Sequence, residues 1–251
     1  MKNGNGKSDN LLSILIPNHN YGAYVGETIR SVLTQDYSPI ELIVVDDGST
    51  DDSVAEIEKA LAESGHLYRV KFVPLKKNAG KLAAINAVLD EVHGAFMITL
   101  DADDILVKDY CSRCMREFRI AQARDPKLGF VYSDCNLMDK YGEVIDRGRS
   151  TGFDAGLLER FSYVPEPALV VTDAFMEVTP FDETIRVATK HHKWIRMVAN
   201  GWTGHHIPEP LFYYRMHDQN LSGIGKRVTN EVENGERGER ILSGYWTTAH
   251  A

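Results

Sequence analysis

Short apolar runs alternate with amphipathic helical patterns in the first part of the chain. Four runs predict buried strands, at residues 11–16, 40–45, 70–74 and 95–100. The first three are each followed by apolar residues at helical spacing, which are Val25, Ile29, Val32 and Leu33, then Val54, Ile57 and Leu61, then Leu82, Ile85, Leu89 and Val92. Strands that alternate with helices predict an α/β fold with a mostly parallel sheet flanked by helices, and a ligand site at the carboxyl ends of the strands.

The second half of the chain has a less regular pattern. Residues 129–132 and 143–145 have the character of short strands. Trp194, Ile195 and Val198 suit one face of a helix. This half is therefore expected to be α/β as well, with less repetition.

The polar ends of the chain are expected to flank a single domain. Residues 1–10 are polar and rich in glycine, which predicts a disordered start. From residue 226 onward the chain is again polar, so 226–251 is expected to be a tail or the first part of something longer. No internal repeat or low-complexity linker divides the intervening residues, and a single domain over 11–225 is the simplest organisation.

The composition is that of an ordinary soluble enzyme. The chain has 251 residues, 43% of them apolar and 25% charged. No apolar run approaches the roughly 20 residues that span a bilayer, and the first ten residues lack the apolar core of a signal peptide. A net charge of −8 without blocks of like charge argues against nucleic-acid binding. The sequence thus predicts a cytoplasmic protein with no membrane span.

The three cysteines predict free thiols. Cys111 and Cys114 form a CxxC motif in a helix-like stretch, and no second CxxC completes the four ligands of a structural zinc site. With Cys135 the count is odd, which suits a reducing compartment better than a disulfide framework.

Carboxylates follow two of the predicted strands. Asp46 and Asp47 follow the second, and Asp101 and Asp103 follow the fourth, where alternation in an extended segment puts the last two on the same side. Such a pair can share a hard cation such as Mg²⁺ or Mn²⁺, which would bridge a diphosphate. The chain has neither G-x-G-x-x-G after its first strand nor a P-loop, so a metal with carboxylates is the more natural way to bind phosphate.

Four motifs occur in order along the first half: SILIPNHN at 13–20, ELIVVDDGSTD at 41–51, NAGKLAAIN at 78–86 and LDADD at 100–104. Together they resemble the nucleotide-sugar half of the family-2 glycosyltransferases, whose GT-A fold has a Rossmann-like sheet. Further on, GFVYSD, FDE, WIR and IPEPLFYYRMH also resemble that family, and the likeness covers about residues 11–222. It implies a nucleotide-sugar half over 11–104 and an acceptor half over 105–225.

The resemblance also implies roles for individual residues. The nucleobase pocket would be lined by Pro17, Asn18, His19 and Asn20. Asp47 would accept a hydrogen bond from the base, and Lys81 would lie near the donor. Asp103 would be the principal metal ligand, with Asp101 reaching the ribose or the metal. Arg215 and His217, two residues apart, would close over the diphosphate, with His217 as a third metal ligand.

The pattern departs from the family where the catalytic base is expected. An inverting enzyme needs a carboxylate to take the proton of the acceptor hydroxyl, and counting back from Trp194 puts the usual Glu-Asp pair on Thr189 and Lys190. Threonine does not titrate in range, and a lysine would need a pKa strongly lowered by burial.

Three explanations stay open. His191 or His192 could serve as the base, since histidine titrates near neutral pH. The base could come from elsewhere, from Glu177, Asp182 or Glu183, or a retaining reaction could need none. The protein could also bind a nucleotide sugar without transferring it.

The sequence therefore predicts a metal-dependent glycosyltransferase. It would move a sugar from a nucleoside-diphosphate sugar, with a UDP-sugar preferred, to a hydroxyl of a saccharide or lipid-linked saccharide in cell-envelope or exopolysaccharide synthesis, with Mn²⁺ or Mg²⁺ as cofactor. The alternative is a nucleotide-sugar-binding protein without transferase activity. A sugar-phosphate nucleotidylyltransferase is disfavoured, because residues 17–22 do not form the glycine-rich, basic loop that it would need.

Overall fold

A computed structural model of the chain describes residues 8–65, 67–186, 189–218, 220 and 239–241. The strands are β1 (Ser8–Asn18), β2 (Ile40–Asp46), β3 (Arg69–Pro74), β4 (Gly94–Thr99), β5 (Ile105–Leu106), β6 (Leu128–Met138), β7 (Val144–Arg149), β8 (Leu169–Val171), β9 (Thr203–Arg215) and β10 (Glu239–Ile241). The α-helices are α1 (Gly22–Leu33), α2 (Ser53–Leu61), α3 (Lys81–Asn86), α4 (Tyr110–Gln122), α5 (Ala155–Arg160), α6 (Thr172–Met176) and α7 (Thr189–Ala199), and a 3-10 helix covers Leu89–Glu91.

The strands form one mixed sheet. Its path through the described residues is β10-β7-β6-β8-β4-β1-β2-β3, and β9 pairs with β6 and β5. The strands β4, β1, β2 and β3 are mutually parallel, which confirms the predicted repeat of strand and helix. Short β8 is antiparallel to both β4 and β6 and joins this parallel half to the second half. The fold is α/β with a mostly parallel sheet, as the sequence predicts.

The parallel strands are apolar on both faces because helices cover both sides of the sheet. Alternate residues of β1 enter two separate cores: Ile14 packs with α1 and α4, whereas Leu15 packs with α3, α6 and α7. In β2, Val44 and Val45 divide in the same way. The two-sided burial holds the parallel strands in place, and their carboxyl ends therefore lie together at one edge of the sheet.

Several boundaries differ from the predicted ones. Strand β1 begins at Ser8, inside the segment predicted to be disordered, where Ser8 pairs with Gly94 of β4. The third helix ends at Asn86, and the rest of its apolar stripe lies in a turn and a 3-10 helix. The predicted tail contributes β10, which pairs in parallel with β7. Residues 1–7, 221–238 and 242–251 lie outside the described residues.

Strand β6 is much longer than predicted because it buries polar residues. Asp134, in its middle, is buried and breaks the apolar pattern. Its carboxylate accepts hydrogen bonds from the Ser150 backbone N–H (2.9 Å) and from Arg147, and it lies 2.8 Å from Nε2 of His206. These contacts oppose the effect of burial and lower the pKa of Asp134.

The three cysteines are buried and free, in agreement with the predicted thiols. Burial raises the pKa of Cys111 and Cys135, and that of Cys114 to about 12, so the thiols are neutral near pH 7. None of the helices among the described residues has the length and apolar character needed to cross a bilayer.

Helix α7 confirms the helix predicted around Trp194, but only part of the predicted face packs on the core. Trp194 is fully buried and its ring centroid lies 4.8 Å from that of Phe130, and Met197 is also buried. Val198 packs partly buried against the same core, whereas Ile195 is 36% exposed. Packing of Trp194 in the core therefore fixes the position of residues 189–193 at the start of α7.

Replacing Trp194 with alanine should lower the free energy of unfolding by about 3–5 kcal/mol, because it leaves a large cavity between α7 and β6. The control Ile195→Ala, on the exposed side of the same helix, should change it by about 0.5 kcal/mol or less. Urea titrations followed by circular dichroism measure both values. Similar losses in the two variants would contradict this packing of α7.

Candidate functional site

Three aspartates meet just beyond the end of β4. Asp101, Asp103 and Asp104 each offer a carboxylate oxygen, and these oxygens lie within 4.8 Å of one another. Asp103 and Asp104 are buried, and Asp101 is partly exposed. Burial, followed by repulsion from neighbouring carboxylates, raises the pKa of Asp104 well above its usual range, and burial also raises that of Asp101. The sequence predicted the first two members of this cluster and missed Asp104, although it is the last residue of the LDADD motif.

The end of β9 and the residues that follow it contact the loop that carries the three aspartates. Arg215 donates its backbone N–H to Asp104 (3.1 Å) and its Nε–H to the carbonyl oxygen of Asp103 (2.9 Å). Nε2 of His217 lies 2.9 Å from Oδ2 of Asp103. Asn220 accepts the backbone N–H of His217 (2.8 Å), and its Nδ2 lies 3.3 Å from the same carboxylate oxygen. Arg215 and His217 are thus brought to the aspartates as the sequence predicted, and Asn220 is a further member that it missed.

Residues of α1 support this arrangement from the side. The ring of Tyr24 stacks on His217 with centroids 5.1 Å apart, and the guanidinium of Arg215 lies 4.8 Å from the Tyr24 ring centroid. Nη2 of Arg215 also lies 2.6 Å from a carboxylate oxygen of Glu27. The imidazole and the guanidinium are therefore both held in place by neighbouring side chains.

The aspartate cluster has the chemistry of a site for a hard divalent cation. Carboxylate oxygens are the preferred ligands of Mg²⁺ and Mn²⁺, and imidazole is a common further ligand. Oδ2 of Asp104 is buried and accepts no hydrogen bond from the described residues. A cation would satisfy that oxygen and would relieve the repulsion that raises the carboxylate pKa values.

The carboxyl ends of β1 and β2 form the rim where the nucleobase pocket is predicted. Asn18 donates from Nδ2 to Asp46 (2.7 Å), and Asn20 donates its backbone N–H to Ser49 (2.8 Å). Asn20 has a positive φ of 57°, a conformation that asparagine tolerates better than most residues. His19, between these two residues in the sequence, is half-buried. Pro17 precedes Asn18 at the end of the apolar part of β1. The four predicted pocket residues therefore follow one another along a single ordered rim.

Asp47 fastens the loop that precedes α3. Its two carboxylate oxygens accept the backbone N–H groups of Ala79 (2.8 Å) and Gly80 (2.7 Å). Gly80 has a φ of +98°, and a Cβ there would overlap the guanidinium of Arg186, which donates to the Ala79 carbonyl oxygen. That Asp47 accepts a hydrogen bond from a nucleobase stays a prediction, and the visible role of this carboxylate is to hold the loop before α3.

Lys81 begins α3 and connects the aspartates to the second half of the molecule. Its ammonium group contacts Asp101 and lies 2.8 Å from Oε2 of Glu166, whose other oxygen accepts from Lys193 of α7. Glu166 is 4% exposed and Lys193 is 3% exposed. Burial by itself would raise the pKa of Glu166, but the ammonium groups of Lys193 and Lys81 lower it to about 2.

Glu166 was missed by sequence reasoning because it belongs to none of the recognised motifs. The signal that could have found it is a single acidic residue between Pro165 and Pro167, directly before the apolar run that becomes β8. A charge placed at the start of a buried strand must have a partner.

A small cavity lies where the two halves meet. It is lined by Lys81, Leu82, Ile85, Thr99, Glu166, Phe175, Phe181, Thr189, Lys190 and Lys193. Thr189 and Lys190, which stand where the family's acidic pair is expected, therefore do face a common space with Lys81. Burial lowers the pKa of Lys190 to about 8, so its ammonium form still predominates at neutral pH.

The two histidines that follow do not line this cavity. His191 is buried, and its Nε2 lies 2.6 Å from the carbonyl oxygen of Leu158 in α5. His192 is half-buried, and burial lowers the pKa of both rings. Either histidine as a base stays a prediction, and this geometry does not favour it.

The other carboxylates considered as bases also lie away from the cavity. Glu177 accepts a hydrogen bond from the indole of Trp202 (2.8 Å), and exposed Asp182 accepts from Thr184. Glu183 accepts from Nδ2 of Asn86 (3.1 Å). None of the three belongs to the cavity lining.

Comparison with known proteins gives the family. Residues 13–133 match the model described as Glycosyl transferase family 2. An uncharacterized glycosyltransferase of Nostoc sp. is 30% identical over 241 residues, which cover 88% of this chain and 70% of that protein. The chain belongs to the family-2 glycosyltransferases.

Two further relatives have more specific names. Chondroitin synthase of Escherichia coli is 28% identical over 219 residues, covering 84% of this chain and 30% of that enzyme. A putative teichuronic acid biosynthesis glycosyltransferase of Bacillus subtilis, TuaG, is 26% identical over 230 residues, covering 84% of this chain and 81% of the relative. The chain thus spans less than a third of the E. coli synthase.

Solved structures confirm the GT-A fold. S. aureus TarS in complex with UDP superposes with a TM-score of 0.62 at 17% identity, over 89% of this chain and 65% of TarS. The mannosyltransferase PcManGT of Pyrobaculum calidifontis, in complex with GDP-Man and Mn²⁺, superposes with a TM-score of 0.64 at 19% identity, over 85% of this chain and 59% of that enzyme.

Replacing Asp47 with asparagine should loosen the loop before α3. One acceptor oxygen becomes an NH₂ group that faces a backbone donor, so protection of the Ala79 and Gly80 amides should fall by about 1–3 kcal/mol in hydrogen exchange. Asp52→Asn, a change at an exposed position, is the control and should leave both amides unaffected. Equal protection in the two variants would mean that Asp47 does not hold the loop.

Proposed function

We propose that this chain is a metal-dependent glycosyltransferase that moves a sugar from a nucleoside-diphosphate sugar, with a UDP-sugar as the first candidate, to a hydroxyl of a saccharide or lipid-linked saccharide. The observation that carries the proposal is the cluster of three carboxylates and His217 at the carboxyl end of β4, beside the rim formed by β1 and β2. In an open α/β sheet this edge is where ligands bind.

Asp101, Asp103 and His217, joined by Asp104, would hold Mn²⁺ or Mg²⁺. A cation bound there supplies positive charge to offset the negative charge that builds up on the departing nucleoside diphosphate. Asn220 fixes the direction of the imidazole through the backbone of His217 and the carboxylate of Asp103. Such supporting contacts orient ligands and tune their affinity.

Other residues around the aspartates would make the remaining contacts with the nucleotide sugar. The rim residues Pro17, Asn18, His19 and Asn20, with Asp47 beneath the loop before α3, would receive the nucleobase. Lys81, which contacts Asp101, and Arg215, which contacts the backbone of Asp103, would offer positive charge to the phosphates. Both side chains are paired with carboxylates, Lys81 with Asp101 and Glu166 and Arg215 with Glu27. An ammonium group has three N–H donors and a guanidinium five, so each could keep these partners and also donate to phosphate oxygens.

The named ligands and products of similar proteins support this choice of substrates. TarS is seen with UDP and PcManGT with GDP-Man and Mn²⁺, so nucleotide and nucleotide-sugar complexes occur on this fold. Relatives named for chondroitin synthesis and teichuronic acid biosynthesis support a role in cell-envelope or exopolysaccharide assembly. A binding protein without transferase activity is not favoured, since the relatives are named as glycosyltransferases. The cytoplasmic location stays a prediction from the sequence.

Replacing Asp103 with alanine should weaken UDP binding in the presence of Mn²⁺ by about tenfold or more, which is about 1.4 kcal/mol. Isothermal titration calorimetry with and without Mn²⁺ gives both affinities, and the gain from manganese should disappear in the variant. Asp90→Ala, at an exposed position remote from the sheet edge, should bind as the wild type does. Tight UDP binding that manganese does not alter in either protein would overturn the metal-dependent reading.

Replacing His217 with alanine tests the third ligand separately. We expect UDP affinity to fall by about tenfold, which is about 1.4 kcal/mol, when Mn²⁺ is present, because the ion loses one of its ligands. Without the ion the affinity should change little. An unchanged affinity with Mn²⁺ would remove His217 from the site and leave the aspartates as its ligands.

A further inference from the structure

The cavity between the two halves bears on which residue accepts the proton of the acceptor hydroxyl. This inference rests on the proposed function, the transfer of a sugar to a hydroxyl. If the reaction inverts the anomeric centre, a carboxylate must receive the proton of the attacking hydroxyl. Lys190 occupies the position where α7 would supply it, and His191 and His192 do not line the cavity. A carboxylate, if there is one, must reach this space from another element.

Glu166 is the one acidic residue in the lining of that cavity, among the residues that the structure describes. It precedes β8 and shares the lining with Thr189 and Lys190 of α7. Its side chain is 4% exposed, so it lines this cavity from the interior of the molecule. The carboxylate at this cavity therefore comes from the segment before β8 and not from α7.

Glu166 also lies close to the centre that would hold the metal. Lys81 contacts Asp101 with the same ammonium group that donates to Oε2 of Glu166 at 2.8 Å. One ammonium group therefore separates the two carboxylates. A sugar whose diphosphate lay against the aspartates would have its anomeric carbon within this neighbourhood.

The contacts of Glu166 suit a proton acceptor that is fixed in place and ionised before the reaction. Lys81 and Lys193 each donate to a different oxygen, which orients the carboxylate and keeps it charged. Each oxygen retains a second lone pair for a further hydrogen bond. Its low basicity is no obstacle to a late proton transfer, since a hydroxyl becomes strongly acidic as its oxygen bonds to the anomeric carbon.

We propose that Glu166 is a catalytic residue that accepts the proton of the acceptor hydroxyl. The hydroxyl oxygen forms a bond to the anomeric carbon, the bond from that carbon to the diphosphate oxygen breaks with its electron pair leaving on the nucleoside diphosphate, and the hydroxyl proton passes to a carboxylate oxygen of Glu166. The competing role is structural, in which Glu166 only balances the charges of Lys81 and Lys193.

The two roles differ in how they respond to an acceptor without a proton. Water must lose a proton when it attacks a sugar, whereas azide attacks as an anion and needs no base. A carboxylate that accepts a proton therefore matters for water and not for azide. A carboxylate that only holds two lysines in place matters equally for both.

The test compares wild type with Glu166→Gln, which keeps the shape of the side chain and removes its basicity. UDP release is measured with Mn²⁺ from UDP-glucose, UDP-N-acetylglucosamine and UDP-glucuronate, each with water alone and with added sodium azide, and the glycosyl azide is identified by mass spectrometry. Removing the carboxylate charge also unpairs Lys81 and Lys193, which would affect release to water and to azide equally. We therefore expect the ratio of azide release to water release to rise about 100-fold in the variant. Glu159→Gln, an exposed change in α5, should match the wild type throughout.

An azide-to-water ratio that is the same in Glu166→Gln and in wild type overturns the proposal, whether both rates fall together or neither changes. The azide-to-water ratio of Lys193→Met is a second readout: it should stay near that of the wild type, because the carboxylate is still present. A wild-type protein that binds UDP with Mn²⁺ and releases none from any of the three donors overturns the proposed transferase function, and this inference with it. Failure of the inference alone leaves UDP release by the wild type intact.

Discussion

Crowding of carboxylates at the end of β4 is the constraint on which the rest of the site depends. Asp101, Asp103 and Asp104 lie close enough for their charges to repel, and burial makes that repulsion stronger than it would be in water. Lys81 of α3 brings an ammonium group to Asp101, and the end of β9 brings the Arg215 backbone N–H to the carboxylate of Asp104. His217 lies beside Asp103. These contacts come from distant parts of the chain and bring α3 and the end of β9 to the aspartates.

The same compensation joins the two halves of the molecule. Lys81 binds an aspartate of the parallel half and Glu166 of the other half, and Glu166 in turn binds Lys193 on α7. Buried ion pairs of this kind contribute little net stability relative to apolar contacts, but losing one partner is costly because it leaves a charge unpaired. The series of ion pairs therefore holds α3, the segment before β8 and α7 at a fixed separation more than it strengthens the fold. The apolar packing of Trp194 against Phe130 keeps α7 in place.

Much of the parallel half could be predicted from the sequence because its strands are buried on both faces and its helices have clear stripes. The rule that parallel strands end at one edge predicts where Asp46, Asp47, Asp101 and Asp103 lie, whereas the proposed roles of residues 17–20 and of Lys81 come from the resemblance to the family. Glu166 and Asn220 could not be predicted in this way, since each acts through contacts with residues far away along the chain. The length of strand β6 was underestimated because Asp134 interrupts its apolar pattern, although it is buried with partners from β7 and β9. Ile195 misled for the opposite reason, as an apolar residue that the fold leaves exposed.

The distance along the chain between Asp103 and His217, 114 residues, has a consequence for biosynthesis. While the polypeptide emerges from the ribosome, the aspartates are made well before the segment that contacts them. A nascent or prematurely terminated chain that stops within β9, before Arg215, would carry the three aspartates without Arg215 and His217. Such a product would lack the contacts of this segment with Asp103 and Asp104, and proteolytic quality control would have a physical basis for distinguishing it from the finished enzyme.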